Sequence, residues 1–225
     1  MPIGKPLPAI ADRPLTIRTI SDQLYYLIRD RILSGALPDG DPIRQDTIAT
    51  ELGVSKIPLR EALARLEQDG LVLSHPNRGF SVSTLSSAEA EEVFILRLQL
   101  EPPAAARGCR MATAADHSAA RMALTRLRRA ERHDDPDTGA YNRAFHLALI
   151  QPGAGTLTMS FVERINVLAD RYIRFHLRSE DRYERAHIAH QALLETWLGG
   201  DADLVERQVA QHIRDTMEDL HKDLP

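Results

Sequence analysis

Apolar residues keep helical spacing over most of this chain. Between Thr19 and Ser34, the residues Ile20, Leu24, Leu27, Ile28, Ile32 and Leu33 recur three and four apart, and Gly35 supplies a stop, which predicts an amphipathic helix. Residues 35–43 are dense in turn formers and read as a connection. Two shorter helical patterns then meet at Gly53. One covers residues 45–52; the other opens at Ser55 as N-cap, tolerates Pro58 in its first turn, and carries Leu59, Leu63 and Leu66 towards Gly70. Residues 71–73 and 80–82 read as short strands around a turn at 75–79.

After Ser83 a short linker ends in a capping box, with Ser86 or Ser87 as cap and Glu89 behind it. The spacing predicts helices near 87–111, 114–132, 138–150, 156–178, 183–198 and 202–221, the first bent at Pro102-Pro103. Six helices joined by short connections describe an antiparallel bundle. The chain is therefore expected to be mostly α. A flexible arm over 1–16, with proline at 2, 7 and 14, precedes a winged helix-turn-helix of three helices plus a β-hairpin at 17–84, and an all-α antiparallel bundle of about six helices follows at 87–222.

Composition narrows the class. With 225 residues, 43% hydrophobic, 27% charged, 12 Gly and 13 Pro, the chain is globular rather than collagenous or low-complexity. A net charge of -4 gives no global positive field, so any contact with nucleic acid has to come from an oriented patch. The one cysteine, Cys109, cannot build a disulfide framework and reads as a small core residue in a reducing compartment. No apolar run approaches the length of a membrane span and no signal segment is visible, so a soluble cytoplasmic protein is expected.

The candidate chemistry falls into two groups. Ser55, Lys56 and Arg60 place a hydroxyl and two cations at the start of a helix that would enter a major groove, with Arg44 close by and Asn77, Arg78 and Gly79 at the hairpin tip suited to backbone or minor-groove contact. By pattern alone, Lys56, Arg60 and Arg65 also suit a solvated helix face. The second group is rich in histidine. Asn142 and His146 are four apart and share a helix face, while His190 and His212 lie ten and twelve residues from Gly200, so antiparallel packing about Gly199-Gly200 lets them face one another. Three imidazoles and an amide oxygen suit a divalent ion such as Zn or Ni; surface or satisfied core histidines are the alternative. His117, His133, His176, His187 and His221 read as surface or pocket-lining residues, Arg171, Arg174 and Arg178 as a solvated or dimer-rim stripe.

The run from Ile48 to Leu63 (IATELGVSKIPLREAL), with LEQDGLV at 66–72 and RGFSV at 78–82, resembles the DNA-binding domain of the GntR superfamily of bacterial transcription regulators. Lys56 stands where that family usually has Arg, and Asp46 where it has a DNA-contacting Arg. The segments NRAFH at 142–146, AHQALLETWLGGD at 189–201 and Gln211-His212 resemble the FadR-type branch with an FCD effector-binding domain. That resemblance implies a divalent metal held by a helix-borne Asp, here Asn142, with His146, His190 and His212. It also implies a small organic acid bound beside the metal, with Arg97 reaching its carboxylate and His176 in the pocket. A homodimeric, ligand-responsive regulator, by default a repressor of a palindromic operator, follows from the resemblance. Two rivals carry less: a metal-dependent hydrolase, for which no His-Glu-x-x-His motif is present, and a non-specific nucleoid-type DNA binder.

Overall fold

The structure, a computed structural model, describes residues 19–133, 135, 137–176 and 180–223, without the side chains of 173–183 and 222–223. The arm expected over 1–16 and the side chain of His176 lie outside the described residues. The architecture is mostly α. Helix α1 (Ile20–Leu33) starts at a capping box in which the Thr19 hydroxyl accepts from the Asp22 N–H and the Asp22 carboxylate accepts from the Thr19 N–H. It is followed by β1 (Pro42–Ile43), α2 (Gln45–Leu52), α3 (Lys56–Gln68), β2 (Val72–His75) and β3 (Gly79–Val82). Gly53, in the left-handed region at φ 63°, makes the turn between α2 and α3.

The sheet has three strands in the order β1-β3-β2, both pairs antiparallel. The third strand corrects the expectation of a bare connection at 35–43: Pro42 pairs with Ser81 and Ile43 with Phe80. Two residues are too few to show a period of two, and Pro42 is tolerated because β1 is an edge. Ser55 holds the N-cap position of α3, yet its hydroxyl makes no capping bond. Leu24, Ile28, Leu59, Leu63, Leu66, Val72 and Val82 close a core between helices and sheet.

The bundle comprises α4 (Ser87–Met111), α5 (Ala114–Arg132), α6 (Thr138–Ile150), a 3₁₀ turn at Gln151–Gly153, α7 (Thr156–His176), α8 (Glu180–Gly199) and α9 (Ala202–Asp223). Ser86 caps α4 by accepting from the Glu89 N–H. This helix runs through Pro102 and Pro103 as one element and packs against α9, α7 and α6. Ala104, Ala105 and Ala106 are buried on it, small side chains that let its neighbours approach closely. The closest approach is at Gly108, where a β-carbon would stand 2.0 Å from the Leu149 carbonyl oxygen. Trp197 fills the floor of the bundle and donates its indole N–H to that same carbonyl at 3.1 Å. Cys109 is buried, with its thiol against the Trp197 carbonyl.

Helix α7 joins the two parts. Val167 and Leu168 pack against the winged-helix core, and Leu168 touches the bundle core as well. Arg171 corrects the expected solvated stripe: it is 2% exposed, donates to Asp39 at 2.7 Å, and reaches the Ser83 carbonyl. A periodic arginine on a helix looks solvated until a partner domain is laid over it. The Arg174 and Arg178 side chains lie outside the described residues. Among the described residues, no helix is long and apolar enough to cross a membrane.

Gly108→Ala is expected to destabilise the protein by about 1–3 kcal/mol through forced separation of α4 from the end of α6. Gly199→Ala, with nothing within 4 Å, should change stability little. Urea unfolding of the two variants checks this, and equal midpoints would refute the close-packing argument.

Candidate functional site

One concave face of about 920 Å³ is lined by the α2 start, the α3 start and the hairpin. It brings together Arg44, Lys56, Arg60, Asn77, Arg78 and Gly79; Ser55 is not among its lining residues. Asn77 and Gly79 both have positive φ, at 60° and 83°, and these left-handed residues turn the chain sharply at the tip of the wing. A β-carbon at Gly79 would also press to 3.3 Å from the Gln45 side-chain nitrogen. Two further residues line this face, Gln45, which was not singled out from the sequence, and Asp46, which stands where the resembled family has Arg. Gln45 accepts from Arg60 Nε at 3.3 Å and so orients the guanidinium. Asp46 pairs with Lys56 at 2.5 Å, in the open, where such a pair is weak and readily exchanged for a phosphate. The local signal for Gln45 was slight, because its partner Arg60 lies on the next helix.

The second site lies inside the bundle. His146 on α6, His190 on α8 and His212 on α9 converge, with nitrogens within 4.8 Å of one another. The Nε2 atoms of His190 and His212 are 3.2 Å apart, and the His146 ring is stacked on His212. Phe145 stands edge-on to both His146 and His190, which fixes the two rings. Burial, then the neighbouring His212 imidazole, holds His146 and His190 well below the ordinary imidazole range. Both are thus neutral at physiological pH. Neither His146 Nε2 nor His190 Nδ1 makes a hydrogen bond among the described residues, although both atoms are buried. Three imidazole nitrogens brought this close fit a borderline divalent ion, whose tetrahedral nitrogens stand about 3.4 Å apart. Asn142 is buried one turn before His146 on the same helix.

Arg97 lies within electrostatic reach of this triad, since its charge helps to keep His146 and His190 neutral. It is already engaged, donating to Glu101 at 2.6 and 3.3 Å. Glu101 in turn accepts from Asn166 of α7 at 2.9 Å. The i,i+4 spacing of Arg97 and Glu101 was visible in the sequence; Asn166, sixty-five residues further on, carried no local signal. His187, three residues before His190, points elsewhere, with its Nδ1 3.7 Å from Glu131.

A winged helix with a cationic face, joined through one helix to a bundle with a buried polar centre, is the build of a ligand-responsive transcription regulator. Residues 20–82 match the bacterial regulatory proteins of the gntR family, and residues 92–215 match the FCD domain. The chain belongs to the GntR family of transcription regulators with an FCD domain, and is not an enzyme. It is 27% identical over 207 residues to the HTH-type transcriptional repressor RspR of Escherichia coli K12, covering 90% of each chain. A regulator from the ttuE-ttuC' intergenic region of Agrobacterium vitis is 32% identical over 153 residues, 65% of this chain and 88% of that one. Among solved structures, E. coli McbR/YncC shares the fold with a TM-score of 0.81 at 21% identity, over 92% of this chain and 99% of the other. A GntR regulator from Rhodococcus sp. RHA1 superposes with a TM-score of 0.79 at 19% identity, over 91% and 99%.

The neutral histidines set a direction for pH dependence. Once unfolded, they bind protons near pH 6.5 that the native protein does not bind, so their contribution is full above that pH and lost as pH falls below it. The melting temperature is expected to fall from about pH 7.5 to about pH 5.5, and to fall less steeply in His190→Gln. Parallel slopes in calorimetry would refute this.

Proposed function

We propose that the protein is a homodimeric, cytoplasmic repressor whose two winged helices read the half-sites of a palindromic operator roughly 34 Å apart. The working units are a DNA-binding domain at 17–84 and an effector-binding and dimerisation domain at 87–222. Arg44, Ser55, Lys56, Arg60, Asn77, Arg78 and Gly79 make the DNA contacts. The reading rests above all on the convergence of four cations, Arg44, Lys56, Arg60 and Arg78, on one concave face of a domain that has ten basic and ten acidic residues over 1–80. The repressor sign is carried over from the E. coli repressor RspR.

In the bundle, Asn142, His146, His190 and His212 hold a divalent ion of the Zn or Ni type. A small organic acid binds beside it, with Arg97 and His176 as further contacts. The ion supplies a positive charge that attracts the carboxylate, and the fixed imidazoles set where that charge sits. With Asn142 in place of a carboxylate, the bound ion keeps one more unit of positive charge for an anionic effector. The acid acts through its different affinity for the DNA-competent and DNA-incompetent arrangements.

Purified protein mixed with sheared DNA of its own organism is expected to retain fragments sharing one palindrome. Arg60→Ala should weaken binding to that operator by about 1–3 kcal/mol, whereas Asp46→Asn, which releases Lys56, should tighten it about two- to fivefold. Diffuse retention, or unchanged affinity in Arg60→Ala at fixed salt, would refute the assigned face. Titration with Zn(II) alone should show one ion per chain, and His146→Ala, His190→Ala and His212→Ala should each lower it. Full metal content in all three variants would remove the metal from this reading.

A further inference from the structure

We propose that Glu101 and Asn166 relay effector binding to the DNA-binding domain. A carboxylate arriving at Arg97 takes the guanidinium from Glu101, and the displacement passes through Asn166 into α7, whose next turn holds the winged helix. This deepens the effector-site reading above and rests on it.

Arg97 and Glu101 are 2% and 1% exposed, so their charges neutralise one another inside the bundle. A buried carboxylate stripped of its cation is strongly unfavourable, and a bound ligand that captures Arg97 creates that situation. The polar group that still holds Glu101 is then the Asn166 amide, donated from α7 at 2.9 Å. That nitrogen also donates to the Val162 carbonyl of its own helix at 2.9 Å, while Asn166 Oδ1 is buried without a partner among the described residues. Asn166 thus couples the carboxylate to the α7 backbone.

The same helix carries the join to the winged helix on either side of Asn166. Val167 and Leu168 pack on its core, Arg171 reaches Asp39 and the Ser83 carbonyl, and Arg164 stands 3.5 Å from Asp69. Arg171 lies five positions beyond Asn166, about 7.5 Å along a rod that shifts as a unit rather than absorbing the movement. Glu101 and Asn166 are positioning residues: they act through Arg97 and α7 and touch no DNA.

A double-mutant cycle on operator binding tests the relay, using the palindromic fragment recovered above. Glu101→Gln keeps the side-chain shape and removes the charge that holds Arg97. It is expected to change the operator Kd about fivefold or more in the unmodified chain, and less than twofold in the Arg171→Ala background, where the join is already cut. An unchanged Kd, or equal fold-changes in both backgrounds, overturns the proposal. Should Glu101→Gln fail to fold, Asn166→Ser takes its place in the same cycle with the same two outcomes. Titration of the unmodified chain with Zn(II) alone is read separately: absence of binding overturns the metal reading and leaves the cycle to decide the relay.

Discussion

Helix α4 lies at the centre of the bundle, and a helix so placed can carry ionised groups only where their charge is neutralised on the spot. Taking a lone guanidinium or carboxylate out of water costs several kcal/mol, more than one mispacked methylene. Arg97 and Glu101 meet this requirement by sharing a helix face one turn apart, and Asn166 satisfies a further lone pair from α7. The pairing dictates which side of α4 faces α7, and through α7 where the winged helix rests. It also keeps a cation within electrostatic reach of His146 and His190, so the electrostatic character of the buried histidine cluster follows from the packing of the core.

The concave face of the winged helix obeys a related rule of disposition. Its domain is electrically balanced, yet its acidic residues are largely engaged away from the concave face: Asp22 with Arg65, Glu51 with Arg31, Asp39 with Arg171, and Asp69 with Tyr25. Arg44, Lys56, Arg60 and Arg78 are left on one side, with Asp46 as the acidic exception. Orientation of charge, rather than its total, produces the cationic face.

Much of this could be read from the residues in order. The helices announced themselves because their apolar periodicity is long and, at the start of α4, the Ser86 cap is a local device. The meeting of His190 with His212 followed from their near-equal distance to Gly199-Gly200, a purely antiparallel argument. What escaped was fixed by tertiary contact. Strand β1 has two residues and exists only because β3 lies beside it. Arg171 became an interior residue when the winged helix covered it, and Asn166 gained its role from a carboxylate on another helix. Gln45 on the concave face escaped for the same reason, since its partner Arg60 lies on the next helix.

Leu168 borders both hydrophobic cores, so each module closes part of the other's boundary. Loss of either core strips apolar surface from the other.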